Sequence, residues 1–323
     1  VEGPEIAVGS GAVVDASGET GGGSVRIGGG FQGKDADIAN ADFLTVADGS
    51  TLKADSLTNG HAGTVILWSD EDTRFAGDIS AEALGASGDG GFVEVSGKET
   101  LRFDGLVSTL AANGRTGTLL LDPEDLEIGA AADAINYLNT GTLVAALGSN
   151  HVVVSTGSDN LPGETGTITV SSAVTWNTVN SLSLLAHGDI RFNASVQNTM
   201  STSGGGSLIA IAGWDGSNGY TAATPGGAAP GGPLNFGDFL MNPSWYGNAN
   251  GNATGTIYVG DGTQTANVAV GSRAGLTLAA GYGLEVLGGA GAAHFGYIGS
   301  GTGSIAVRTG LGGITVDSSA AAI

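Results

Sequence analysis

The sequence predicts an all-β protein of the solenoid class, in which successive coils of short strands stack on one another. The first observation behind this prediction is a phrase that recurs along the 323 residues, a glycine pair followed by a short alternating apolar strand. The second is the composition, with 60 glycines and only 7 prolines in a chain that is 41% hydrophobic. A coil of this kind buries its apolar face only against its neighbours, so the same phrase has to return.

The strand phrase is clearest at residues 22–29 and 90–97, where apolar and polar residues alternate. Looser copies begin at Gly63, Gly117, Gly166, Gly206, Gly255 and Gly303. In the first four copies the aligned apolar residues are Val25, Val65, Val93 and Leu119. Their steps of about 40, 28 and 26 residues fit one to two coils of roughly 20 residues, interrupted by loops. The glycines are expected at tight corners or where one coil approaches the next.

Two segments break the strand pattern and divide the chain into coils at 1–128, an insertion at 129–150, and further coils at 151–323. Within 131–147, alanine, leucine and tyrosine stand at helical spacing, which predicts one or two short amphipathic helices with Gly148 as a stop. We interpret this insertion as a plug that covers an irregular part of the coil wall, because exposed strand edges need covering.

The second interruption is a long loop region at 213–254, rich in glycine, proline, asparagine and aromatic residues. Long loops in a repeat protein are often functional, and aromatic rings offer flat apolar faces to sugars or protein partners. On that interpretation the candidate ligand-binding residues are Trp214, Tyr220, Trp245 and Tyr246. The alternative is that these rings fold back and pack on the coil wall, as large rings usually do.

The charge is strongly acidic, at −21, with 31 acidic and 10 basic residues. Nucleic acid is excluded as a partner, because binding a phosphate backbone requires clustered lysine and arginine. One interpretation of the acidity is a soluble surface that resists aggregation. The other is binding of a divalent cation such as Ca²⁺ by neighbouring carboxylates, for which the candidate ligands are Asp70, Asp72, Asp122 and Asp125.

Catalysis is not expected from the motifs present. The chain has no cysteine, its 4 histidines are far apart, and no nucleophile elbow or phosphate-binding loop occurs in the required context. A polysaccharide-degrading enzyme is the alternative to weigh, because acidic clusters at 70–72 and 122–125 could supply paired carboxylates. The basic residues that an anionic sugar would require are scattered along the chain, which weighs against that alternative.

A family resemblance rests on the segment 117–128, which reads GTLLLDPEDLEI. Together with the stretches 22–33, 65–75 and 88–98, it resembles the large bacterial exoproteins of the filamentous haemagglutinin family, downstream of their secretion domain. The resemblance covers roughly residues 10–175, and beyond that only the repeat style and the phrase at 293–299 are similar. It implies a right-handed parallel β-helix exported by two-partner secretion through an outer-membrane transporter.

From this resemblance we expect an extracellular or cell-surface rod with a structural and adhesive role. Its loops would contact a host or neighbouring cell through a glycan or a protein, and no functional residue is carried over from the family. One alternative is a spacer or filament-forming subunit that self-associates end to end through its coil edges. A chain that begins within the repeat pattern is expected to be a fragment of a longer protein.

Overall fold

The structure is a computed structural model, and it describes most of the chain. The described residues are 1–130, 136–157, 165–200, 205–214, 255–260, 268–272, 275–280, 283–287, 293–295, 304–309 and 313–317.

The described residues form short strands, one α-helix and one 3-10 turn at Phe31–Gly33. The helix is α1 (Thr140–Ser149). The strands are β1 (Glu5–Val8), β2 (Val13–Asp15), β3 (Ser24–Ile27), β4 (Phe43–Val46), β5 (Thr51–Lys53), β6 (Thr64–Ser69), β7 (Asp72–Phe75), β8 (Asp78–Ser80), β9 (Phe92–Gly97), β10 (Thr100–Phe103), β11 (Leu106–Ser108), β12 (Thr118–Leu121), β13 (Leu126–Gly129), β14 (Tyr137–Asn139), β15 (His151–Ser155), β16 (Ile168–Val170), β17 (Val174–Trp176), β18 (Leu182–Ala186), β19 (Ile190–Phe192), β20 (Val196–Asn198), β21 (Leu208–Ala212), β22 (Thr256–Val259), β23 (Val268–Ser272), β24 (Gly275–Ala280), β25 (Gly283–Leu287), β26 (Ala293–Phe295), β27 (Ser304–Thr309) and β28 (Gly313–Asp317).

Within the described residues these strands make four parallel sheets. The spatial orders are β1-β4-β7-β10-β14-β13-β16-β19-β22-β25-β28 in an 11-stranded sheet, β3-β6-β9-β12-β15-β18-β21-β24-β27 in a 9-stranded sheet, and β2-β5-β8-β11 and β17-β20-β23-β26 in two 4-stranded sheets. Outside the segment 126–149, the chain visits an 11-stranded, a 4-stranded and the 9-stranded sheet in turn. Each pass therefore adds one strand to each of three sheets.

Files of stacked apolar side chains hold successive passes together. On the 9-stranded sheet the register places Val25 beside Val65, Val65 beside Val93, and Val93 beside Leu119. The same file then continues through Val152, Leu182, Leu208 and Leu276. All of these side chains are at most 5% exposed and belong to the central core cluster. Burying each of these side chains stabilises the fold by roughly 1.5–3 kcal/mol. The apolar residue that recurs in the sequence phrase is therefore the one that stacks in this file from pass to pass.

The glycine before each of these strands permits close approach of the next pass. A Cβ atom on Gly63 would lie 2.0 Å from the carbonyl oxygen of Gly23, and one on Gly91 would lie 2.2 Å from that of Gly63. Gly117 repeats the arrangement over Gly91, at 2.0 Å. No side chain fits at such distances, so glycine is required here for backbone contact between passes.

The two 4-stranded sheets lie on the third face of the stack, and the helix α1 replaces one strand of this face. It packs between β11 and β17 and so separates the two 4-stranded sheets. Its N-cap is Asn139, whose side chain accepts a hydrogen bond from the Gly141 N–H at 2.8 Å. A helix is about 10 Å wide, about two strand spacings, and β13 is the additional strand that widens the 11-stranded sheet at this level.

The helical prediction for this insertion was partly wrong. Tyr137–Asn139 is the strand β14, held between β10 and β13, because its backbone groups complete the parallel ladder there. The helix starts later, at Thr140, and includes Gly148, which the sequence had suggested as a stop. Residues 131–135 lie outside the described residues.

Candidate functional site

The outer face of the 9-stranded sheet carries a second apolar layer. Along β6, Val65 and Leu67 face the central core, whereas Ile66 and Trp68 belong to a separate buried cluster on the other side of the strand. The remaining members of this outer cluster are Phe31, Phe92, Leu120, Val153, Leu185, Ile209, Ile211 and Trp214. The alternation follows from the two faces of a strand, and both faces of this sheet are buried.

A loop at residues 28–41 covers one end of this outer layer. Its two ends are joined by a hydrogen bond of 2.7 Å from the Ala41 N–H to the Gly28 carbonyl oxygen. The Phe31 ring meets the Phe92 ring edge-on, with centroids 5.9 Å apart. Gly33, at a φ of 61°, lies so close to the Trp68 indole that a Cβ would be 2.5 Å from its ring. Glycine is therefore required for the loop to close over Trp68.

Glu94 lies inside this outer layer with no exposed surface. On the sheet it stands between Ile66 of β6 and Leu120 of β12. The Gln32 backbone N–H donates to both of its carboxylate oxygens, at 3.1 and 3.2 Å. Burial raises the pKa of Glu94 well above its ordinary value, and the nearby Asp122 charge raises it further.

Asp122 follows β12 and receives the other end of the same glutamine. The Gln32 Nε2 donates to Asp122 Oδ2 at 2.7 Å, and the Lys34 Nζ donates to Gln32 Oε1 at 3.1 Å. Burial raises the pKa of Asp122, although hydrogen bonds from Ser155 and Gln32 oppose the rise. Gln32 has a φ of 52°, a left-handed conformation that is uncommon for a side-chain-bearing residue. Through its backbone N–H and its side-chain amide, Gln32 links Glu94 and Asp122, which belong to successive passes.

Asp70 fixes the Trp68 end of the loop. Its Oδ1 accepts a hydrogen bond from Trp68 Nε1 at 2.9 Å and another from Asn40 Nδ2 at 3.0 Å. The same Asn40 amide donates to the Gly33 carbonyl oxygen at 3.0 Å. The indole, the carboxylate and the loop backbone thus form one hydrogen-bonded unit.

Between the loop and the strand ends lies a cleft of about 540 Å³. Acidic and basic side chains and the indoles of two tryptophans line the cleft. The lining includes Lys34, Lys98, Trp68, Asp70, Asp122, Glu124, His187 and Trp214. A volume between about 300 and 1,000 Å³ is typical of small-molecule sites. This cleft is the candidate functional site.

The structure brings together two of the four residues that the sequence suggested as cation ligands. Asp70 and Asp122 line the same cleft. Asp72 instead lies on the 11-stranded sheet, where Arg74 and Thr100 donate to it at 2.6 and 2.7 Å. Asp125 accepts from the Thr167 N–H at 2.6 Å and from the Thr165 hydroxyl at 3.0 Å. Among the described residues no group of three or more histidine or acidic side chains is arranged to hold a metal ion.

The aromatic residues suggested for ligand binding are divided by the limits of the described chain. Trp214 is only 2% exposed and packs in the outer apolar layer, where it also forms part of the cleft wall. Tyr220, Trp245 and Tyr246 lie outside the described residues, as does most of the 213–254 region.

Sequence reasoning missed Gln32, Lys34 and Glu94. Glu94 did carry a signal, because it is a single acidic residue within the apolar strand Phe92–Gly97, but alternation alone suggests an exposed position for it. Nothing in the sequence indicates that Gln32 reaches residues 62 and 90 positions further along the chain. That contact depends on the stacking of passes.

Comparisons with protein-family models and with curated protein sequences found no match to this chain. The resemblance to the filamentous haemagglutinin family therefore stays a prediction based on the sequence phrases. In the part of the chain that the structure describes, no helix is long and apolar enough to cross a membrane.

Proposed function

We propose that this chain is a section of a right-handed parallel β-helix, with a structural and adhesive role in a secreted bacterial surface protein. The observation that supports the architecture is the strand order, in which each pass adds one parallel strand to each of three sheets. Right-handedness rests on the strong preference of parallel crossover connections for that hand. The assignment to an exported adhesive rod rests on the sequence phrases that resemble filamentous haemagglutinins.

Parallel stacking of this kind suits an extended scaffold. Each pass advances the structure by one strand spacing, about 4.8 Å, and contacts only its neighbours. Such a scaffold grows in length by repetition while its loops remain free to vary. Display of a binding surface, here the cleft beside the 28–41 loop, is the function that this geometry favours.

The test of this proposal measures shape and attachment together. Electron microscopy of the purified chain should show single rods. Beads that carry the immobilised chain should retain whole host or neighbouring bacterial cells that display the ligand on their surface. Concentration-dependent growth of filaments without cell attachment would instead support the spacer or filament-forming subunit. Compact particles without cell attachment would contradict both the architecture and the adhesive role.

A polysaccharide-degrading activity is the competing function, and one observation favours it. Asp122 lines the cleft, Glu94 is buried behind it, and both acidic groups have raised pKa values. Paired carboxyl groups are what glycoside hydrolysis requires. Against it, Gln32 already bonds to both groups. Release of reducing ends from a polysaccharide, lost in Asp122→Asn, would establish the competing function.

A further inference from the structure

We infer that the cleft beside the 28–41 loop binds a short, uncharged oligosaccharide. This inference deepens the proposed adhesive function and rests on it, because it assigns the ligand class and the residues that the general proposal leaves open.

The polar groups of the cleft are held in place before any ligand arrives. Asp70 is fixed by the Trp68 indole and Asn40, and Asp122 is fixed by Gln32. Each carboxylate has about four acceptor positions, so these bonds leave capacity for sugar hydroxyls. Lys34 uses one of its three donor protons on Gln32 and is otherwise exposed at the cleft. Fixed acceptors and a donor in one small site suit a ligand that carries many hydroxyl groups.

The charges of the cleft argue against an anionic ligand. Its three carboxyl side chains, Asp70, Asp122 and Glu124, outnumber the two lysines, Lys34 and Lys98. The whole chain carries a charge of −21, which repels sulfated or uronic acid polymers at a distance. A cationic ligand would in turn meet Lys34 and Lys98 at the walls. An uncharged ligand avoids both penalties.

The indoles form the apolar part of the site. Trp68 and Trp214 both line the cleft, although they are only 5% and 2% exposed. They therefore act as firm walls against the C–H surfaces of a sugar and not as open stacking platforms. The volume of about 540 Å³ is suited to a ligand of a few sugar rings.

The test is titration calorimetry of the whole chain with neutral trisaccharides, namely cellotriose, maltotriose and chitotriose, and with trigalacturonate as the anionic counterpart. We expect saturable binding of at least one neutral trisaccharide and none of trigalacturonate. Lys34→Ala and Asp122→Asn should each weaken that binding about tenfold or more, since each removes a charge-assisted hydrogen bond. Circular dichroism and thermal unfolding of each variant show that it is folded.

Matched controls lie on the first 4-stranded sheet, away from the cleft. Lys53→Ala on β5 and Asp78→Asn on β8 change the same residue types and should leave binding unchanged. The inference is overturned if no neutral trisaccharide binds at millimolar concentration, or if folded Lys34→Ala and Asp122→Asn bind as the original chain does. Cell attachment that persists in both cleft variants would overturn the inference and leave the adhesive role standing, whereas loss of all cell attachment by the original chain would refute the adhesive role itself.

Discussion

Replacing the buried Glu94 by glutamine should stabilise the protein at neutral pH. Glu94 has no exposed surface, and burial raises the pKa of its carboxyl well above the ordinary value of 4.5. The unfolded chain loses this proton near the ordinary value, whereas the folded chain keeps it to higher pH. Between those two pKa values the folded state binds more protons, so the free energy of unfolding falls as the pH rises.

The slope of that fall follows from the single proton involved. One proton bound only by the folded state lowers the free energy of unfolding by about 1.4 kcal/mol for each pH unit. Glutamine has nearly the same shape, keeps an oxygen for the Gln32 N–H and carries no titrating group. It also removes the repulsion with Asp122 that contributes to the raised pKa of Glu94. The remaining charged group facing this carboxyl is Lys34, whose charge lowers the pKa and does not cancel the effect of burial.

The assay is urea unfolding of both proteins at a series of pH values from about 4 to 7. Near pH 4 the two should have similar stability, because Glu94 is then mostly protonated in both states. Above that, the difference in free energy of unfolding should grow by about 1.4 kcal/mol for each pH unit until the folded-state pKa is reached. Glu99→Gln changes the same residue type at an exposed position and provides the matched control. A flat difference curve, or a Glu94→Gln protein that is less stable at neutral pH, would refute the reasoning.

Three further predictions test other parts of the structure. Gly91→Ala should lower the free energy of unfolding by about 1–3 kcal/mol, because its Cβ would lie 2.2 Å from the Gly63 carbonyl oxygen. Gly148→Ala is the control: a Cβ at this position of α1 would have nothing within 4 Å, so the substitution should raise the free energy of unfolding by about 0.5–1 kcal/mol. Equal effects of the two substitutions in urea unfolding would contradict the close approach of passes. Asn150→Ala should lower the free energy of unfolding by about 2–3 kcal/mol, because the buried Asn150 amide donates hydrogen bonds to the carbonyl oxygens of Val107 and Ala146 at 2.8 Å. The control is Asn113→Ala, at an exposed position, which should lower it by less than about 1 kcal/mol in the same assay. Burial and the Arg115 charge lower the pKa of His151 from 6.5 to about 4. The free energy of unfolding should therefore fall as the pH falls from 6.5 towards 4, by up to about 3 kcal/mol, and His151→Gln should remove that fall. A His151 resonance that titrates near 6.5 in NMR would contradict the prediction.

The sequence was informative where one residue type repeats for one physical reason. The file through Val25, Val65 and Val93 was aligned from the glycine phrase alone, and the structure pairs these residues in that register. The glycines precede the strands because the backbone of the neighbouring pass leaves no room for a Cβ. Both signals are local and recur, so a single sequence shows them.

The cleft could not be assembled in this way. Asp70 and Asp122 were chosen for their acidity, but what unites them is a loop that starts 42 residues before Asp70 and covers strands from several passes. The helix was placed too early because alanine and leucine favour helix in isolation, whereas β14 forms through pairing with β10 and β13. Contacts between passes decided both outcomes, and they depend on loop lengths that the repeat pattern leaves undetermined.

The replacement of a strand by α1 has a mechanical consequence. A pulling force along the stack is carried on two faces by continuous ladders of backbone hydrogen bonds across the level of α1, through β14 and β13 on one side and β15 on the other. On the third face the backbone ladder stops at β11 and resumes at β17. The helix between them is connected by side-chain packing and by isolated hydrogen bonds, among them those of the Asn150 amide and the one from the Thr109 N–H to the Ser149 carbonyl oxygen. Under tension the passes should therefore part first at this level, on this face, and the protein should bend there before it extends elsewhere.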